Sequence, residues 1–329
     1  INDFYVTDGY KEFIEECIDH GMFPLLNIEL IGISKEDQAA GIRVNDPSNP
    51  GRTYISGKGL QYPVELDETQ SAKLAKIVEE SNLQVEKMVA LANEWFRKQE
   101  VDIVLDVNEI MDKLAVNLLR ERHVAKMVRL KLEEISANDK EYDETLSLIY
   151  GGKTATQTRD DIAGTENELR SNLLKAGAPA FVPEDDKAFL PLEEIVQIIR
   201  DAGGIPTYPL LLDGTGGEIT EFERGKEHLL QVLKSRGFNS IEFIPLRNKP
   251  EVLKEYSEYF YENGFIVSYG TEHKTSALGP LAVSCNDEVP LENSLMEISF
   301  LGAAYVAAHQ FLTIKEGRGY EVRSRADME

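Results

Sequence analysis

Residues 192–212 read LEEIVQIIRDAGGIPTYPLLL. A helical segment runs to Ala202, the pair Gly203-Gly204 breaks it, and an extended apolar run follows over 205–212. The same unit recurs downstream, with a helix over 218–236, a strand at 240–244, a helix over 250–263, a strand at 265–269 and a long helix over 291–311. Strands alternating with helices at this spacing predict a parallel sheet, open or closed into a barrel, because each helix carries the chain back over the sheet before the next strand. Ligands of such sheets gather at the carboxyl ends of the strands, which is where chemistry is sought.

Upstream, residues 1–64 begin in the same way, with a strand over 1–6, a helix over 10–20, a β-rich run at 23–33 and the turn-rich loop NDPSNPG at 45–51. Between 65 and 185 the period changes. Asp67 with Gln70, and Asp106 with Glu109, have the spacing of capping boxes, and Leu74, Ile77, Val85, Met88, Ala92 and Phe96 recur at helical intervals. The expectation is an α/β chain whose sheet is built from 1–64 and 186–329 and interrupted by an all-helical insertion at 65–185. One decoy is dismissed: Gly151-Gly152-Lys153-Thr154 has the end of a nucleotide-binding loop, but Ser147 stands where its first glycine is required and a helix precedes it.

With 329 residues, 42% of them hydrophobic, the chain is long enough to bury a full core. No apolar run approaches the roughly 18 residues of a membrane span. The chain opens on Ile1 without the pattern of a secretory signal, so further residues are expected upstream and a cytoplasmic location is the natural reading. Cys17 and Cys285 make neither a disulfide framework nor a C-x-x-C motif. A formal charge of −23 repels polyanions, which argues against duplex nucleic acid and anionic membranes as partners. A small phosphorylated or anionic metabolite remains compatible, because local cations can reverse the potential inside one pocket. Surface helices could also serve a homo-oligomer.

The strand ends carry Asp8, Glu29, Tyr208, Glu242 and Glu272-His273. Converging carboxylates raise one another's pKa unless cations neutralise them, and a divalent metal held by Asp/Glu oxygens and His nitrogens is one remedy. Glu29 lies in an apolar run, where an unpaired charge is costly. Asp8 before Gly9 could instead cap the following helix, and His123, among Arg120, Glu121 and Arg122, could be a salt-bridged surface residue. His20, His228 and His309 fall in helical patterns and read as structural. Arg43, Arg52 and Lys58 flank the 45–51 loop, which is either a clamp for an anionic ligand or a solvated loop pinned by prolines.

Several stretches occur in order: Val6-Thr7-Asp8, Asn27-Ile28-Glu29, Arg122-His123-Val124-Ala125, residues 177–183, residues 192–196, Ala202 to Ile205 leading into Thr207-Tyr208-Pro209, residues 237–243 and Gly270-Thr271-Glu272-His273. Together they resemble the polymerase and histidinol phosphatase family of metal-dependent phosphoesterases. The resemblance implies a distorted, TIM-like β/α barrel with a helical insertion and metals at its mouth. By position it carries over Asp8, Glu29 and His123 as metal ligands, with Glu272 at the place of a closing aspartate and His273 as a substitute ligand. The departures are as specific. A leading His-x-His is absent, Gly9 and Tyr208 replace histidines, and Lys274 falls where the last one is expected.

Such an oxygen-rich site suits Mn or Mg more than Zn, with Fe also a candidate, in a number the sequence leaves open. The function this implies is a metal-dependent phosphoesterase that activates water. In it Glu29, Glu242, Glu272, His273 and Tyr208 would serve the chemistry, and Arg43, Arg52 and Lys274 would hold the substrate. The alternative is a catalytically silent barrel that has lost part of its metal site and holds a small polar ligand at the Tyr208 and Glu242 mouth. A metal-dependent lyase or aldolase is a third reading.

Overall fold

The computed structural model describes residues 1–213, 219–273, 277, 279–317 and 319. Its order is β1 (Asn2–Phe4), α1 (Tyr10–Asp19), β2 (Asn27–Ile33), α2 (Lys35–Ala39) and β3 (Arg52–Lys58), then α3 (Glu68–Lys98), α4 (Val107–Leu114), α5 (Glu121–Ile135), α6 (Asp139–Ile149) and α7 (Ile162–Leu169). The β/α pattern returns with β4 (Leu190–Pro191), α8 (Leu192–Asp201), β5 (Ile205–Pro209), α9 (Lys226–Ser235), β6 (Ser240–Phe243), α10 (Pro250–Glu262), β7 (Ile266–Tyr269) and α11 (Asn293–Glu316). The helix expected over 218–236 begins only at Lys226, and Glu218 lies outside the described residues.

Two units divide the chain. The first comprises residues 1–73, 189–272 and 280–329, and the second residues 74–188 and 273–279. Within the first, seven strands form one sheet in the order β1-β2-β3-β5-β6-β7, with β4 added to β2. Strands β1, β2, β5, β6 and β7 run parallel, whereas β3 is antiparallel to both neighbours. The sheet curls into a half barrel, and among the described residues β7 does not pair with β1, so the barrel is not closed.

Strand β3 was not anticipated as a strand. Its inward positions Tyr54, Ser56 and Lys58 are polar or amphipathic, so the apolar alternation that betrays a strand is missing. Helix α8 lies against β2, β3 and β5 and approaches closely at two glycines. A Cβ on Gly32 would lie 3.0 Å from the Leu192 backbone, and one on Gly57 would lie 3.0 Å from Ile199. Tyr305 and Val306 of α11 pack with Ile205, Ile266 and Leu25, which puts an apolar floor under the amino ends of β5 and β7. His309 bonds the Gly203 carbonyl at 2.8 Å, as a structural histidine should.

The second unit packs α3 to α7 around Phe96, Ile110, Val128, Leu146 and Leu173, all buried. Of each expected capping box the N-cap half forms: Asp67 accepts the Gln70 amide at 2.7 Å and Asp106 accepts the Glu109 amide at 2.9 Å, while the Gln70 side chain donates to Asp201 and the Glu109 carboxylate accepts from Lys113 and Lys131.

Candidate functional site

Strand register assembles the site. Phe4, Glu29, Ser56, Thr207, Ser240 and Ile266 are successive cross-strand partners over six strands, so their side chains share one face of the sheet. Two residues along each strand, with the same facing, come Glu242 on β6, toward the carboxyl ends, and Lys58 on the antiparallel β3, toward the amino ends. The inner face of the half barrel therefore carries a row of hydroxyls and a carboxylate where a closed core would carry branched aliphatics. Thr207 donates to the Ser240 hydroxyl at 2.9 Å, and all of Ser56, Thr207 and Ser240 are fully buried.

The centre of this face is an ion pair. Lys58 Nζ lies 2.6 Å from Glu242 Oε1, and Ser56 Oγ donates to Glu242 Oε2 at 3.0 Å. Only 7% of the Lys58 side chain and 12% of the Glu242 side chain reach solvent. Two charges removed from water to this extent attract strongly, and the attraction offsets a desolvation cost of several kcal/mol per ion. Gly270, at the end of β7, leaves room for the pair, since a Cβ there would stand 3.1 Å from Glu242 Oε1.

A second cluster links the carboxyl ends of β5, β6 and β7. Arg247 Nε donates to Asp213 Oδ2 at 2.6 Å, its NH1 lies 3.9 Å from Glu272 Oε2, and Asn248 Nδ2 donates to the Leu211 carbonyl at 2.6 Å. This is the rim where parallel sheets bind ligands. Lys58 entered the sequence reading only as a loop flank, and Ser56, Asp213 and Arg247 did not enter it as site residues. The available signal was a charge three or four residues past each strand end.

The other expected site residues are dispersed. Tyr208, next to inward-facing Thr207, points to the outer face, packs against Phe222 and Phe238, and donates to Glu223 at 3.1 Å. Arg43 forms an exposed pair with Glu221 at 2.7 Å, and the Arg52 guanidinium stacks on the Phe189 ring at 4.1 Å. The 45–51 loop is tied down rather than open: Asn45 bonds the Tyr54 and Pro209 backbones, and Asp46 accepts the Ser48 and Asn49 amides. Asp8 is exposed, and the N-cap of α1 is Gly9, without a side-chain bond. Lys274 lies outside the described residues.

His123 and His273 belong to the second unit. At the start of α5, His123 Nδ1 accepts the Arg120 amide at 3.1 Å, and burial lowers its pKa. An imidazole whose Nδ1 accepts carries its proton on Nε2, so in this tautomer neither nitrogen offers a lone pair to a cation. Among the described residues no three His, Cys, Asp or Glu side chains are grouped to hold a metal ion. With its Nδ1 lone pair engaged by the Arg120 amide, His123 as placed offers no donor to the expected metal cluster.

The fold has a solved likeness. A Bifidobacterium adolescentis protein described as a candidate metal-dependent phosphoesterase superposes with a TM-score of 0.55 at 14% identity, over 91% of this chain and 83% of the other. That likeness shows the fold. No protein-family model matches the chain, and no curated protein matches it.

Behind the sheet, Glu223 is a buried carboxyl that the sequence reading did not single out. It accepts the amides of Leu211 at 3.2 Å and Leu212 at 2.9 Å together with the Tyr208 hydroxyl. Burial pushes its pKa up to about 7, and the three donors pull it only part of the way back. Folded protein therefore holds this proton over a range in which the unfolded chain, with its ordinary glutamate, has released it. Stability contributed by the group is intact below pH about 4.5 and declines as pH rises to about 7, by at most about 3 kcal/mol. We expect thermal melts of Glu223→Gln to lack that decline; a variant whose melting temperature keeps the wild-type slope between pH 5 and pH 7 would refute the assignment.

Proposed function

We propose that this chain binds a small polar metabolite carrying an anionic group and hydroxyls, on the inner face and carboxyl rim of its half barrel. The observation that carries this reading is the buried Lys58–Glu242 pair on a hydroxyl-lined face. Packed apolar residues there would hold the sheet as well or better, since buried ion pairs seldom stabilise relative to hydrophobic replacements. Polar groups on an inner face below a strand-end rim are the arrangement that orients a ligand. The Lys58 ammonium and the Arg247 guanidinium suit a phosphate or carboxylate, and Glu242 and the serine and threonine hydroxyls suit ligand hydroxyls.

A second reading, a metal-dependent phosphoesterase, is favoured by the likeness of the fold and by carboxylates at Glu29 and Glu272. One experiment separates the two. Thermal shifts are recorded against sugar phosphates and hydroxy acids in chelator and in added Mn, alongside metal analysis and phosphate release. Binding in chelator that is lost in Lys58→Met and kept in Glu29→Gln supports the first reading. Phosphate release that needs stoichiometric metal and is lost in Glu29→Gln supports the second. Neither binding nor release under any condition sinks both.

A further inference from the structure

Helix α11 presents two apolar faces, of which the half barrel uses one. Leu295, Ile298, Gly302, Tyr305, His309 and Thr313 are buried against the sheet side. Met296, Phe300, Ala304, Ala307, Phe311 and Ile314 lie on the opposite side, within an arc of about 80° at about 100° per residue. Phe300 is 72% exposed and Phe311 52%, which a surface helix of a lone molecule would avoid. By length and composition α11 could also cross a bilayer. Its buried face is instead tied to the sheet unit, with Gln310 accepting the Leu26 amide at 3.0 Å and donating to the Pro24 carbonyl at 2.8 Å.

We propose that this stripe is the contact between two copies of the chain, with α11 packed antiparallel on α11 of the second copy. The order of side chains specifies the occupant. About a two-fold axis passing between Tyr305 and Val306, Phe300 meets Phe311 of the second copy and Ala304 meets Ala307, each pair occurring twice. Small residues at the centre let the helices approach closely, and aromatic residues on either side fill the widening gap. The charges at the edge match in the same arrangement. Glu297 and Lys315 lie on one edge of the stripe, and the axis brings Glu297 of each copy beside Lys315 of the other. An isologous interface requires a surface complementary to itself, and this stripe is complementary to itself in both size and charge. The acidic chain and Glu292, Glu297 and Glu316 along the helix disfavour an anionic lipid surface. Because α11 closes the amino ends of the strands, the contact leaves the carboxyl rim open.

Sedimentation velocity across a range of protein concentrations tests this. Wild type is expected to form a species of twice 36.9 kDa whose share rises with concentration. Phe300→Glu, at an exposed position, is expected to give monomer with an unchanged circular dichroism spectrum. Glu297→Lys alone should weaken association about tenfold by placing like charges together twice, and Glu297→Lys with Lys315→Glu should restore it. Monomer at every concentration, or a dimer indifferent to Phe300→Glu, overturns the proposal. So does flotation of the wild type, but not Phe300→Glu, with phosphatidylcholine vesicles.

Discussion

Lys58→Met is expected to destabilise the protein by roughly 3–5 kcal/mol, far more than an ordinary lysine substitution, because it leaves the Glu242 carboxylate buried without its cation. The methionine stem replaces the lysine methylenes, so little packing is lost and the cost isolates the charge. Ser56 still donates to Glu242, which holds the cost toward the lower end. Replacing both partners, Lys58→Met with Glu242→Leu, removes the orphaned charge and is expected to recover stability to within about 1 kcal/mol of wild type or to exceed it. Urea denaturation of the two single variants and the double variant completes the cycle. Additive single effects, each below about 1 kcal/mol, would show that the pair is solvated and would remove the basis for the ligand site. The ligand assay gives the opposite ordering. The stable double variant should bind as poorly as Lys58→Met, so that stability and binding come apart at this pair.

How much of this was legible beforehand depends on whether the information was local. The alternation after residue 192 marks β5, β6 and β7 and the helices between them, because each is specified by its own periodicity and glycine breaks. The helical stretch was equally plain from Asp67 and Asp106, whose caps lie within three residues of their partners. Strand β3 was hidden by its polar inner face, since a strand that turns polar side chains inward shows no apolar alternation. Glu29 stood out as a charge in an apolar run and Glu242 as a carboxylate at a strand end, but their common face follows from register across β2, β3, β5 and β6, which no single segment encodes. Lys58 and Glu242 are 184 residues apart, and their contact is a property of the assembled sheet. Tyr208 shows the reverse error. Its place at a strand end resembles a ligand position, yet one residue of parity sends it to the outer face beside Glu223.

Gly302→Ala is expected to be among the most damaging single-methyl additions in the chain. A Cβ at 302 would lie 1.9 Å from the Val267 carbonyl oxygen and 2.8 Å from its carbon. That oxygen belongs to a strand whose Val267 is registered with Ile241 of β6, so no flexible side chain can yield in its place. Relief requires α11 to withdraw from β7 by more than an ångström, and with it Tyr305 and Val306 leave the floor beneath Ile205 and Ile266. Overpacking typically costs about 1–3 kcal/mol, and a backbone clash with no soft neighbour falls at or above the top of that range. Alanine's advantage over glycine inside a helix, about 1 kcal/mol, offsets only part of this, and a net loss of at least about 2 kcal/mol follows. Gly9→Ala is the control. Its backbone is already in the right-handed region, and a Cβ there meets Ile1 Cδ1 at 3.4 Å and Asp3 Oδ2 at 3.8 Å, both ordinary contacts with side chains. Equal denaturation midpoints for the two variants would mean that α11 is not seated on β7 as closely as the glycine implies. A lower midpoint for Gly302→Ala alone would establish that the floor of the half barrel depends on that contact.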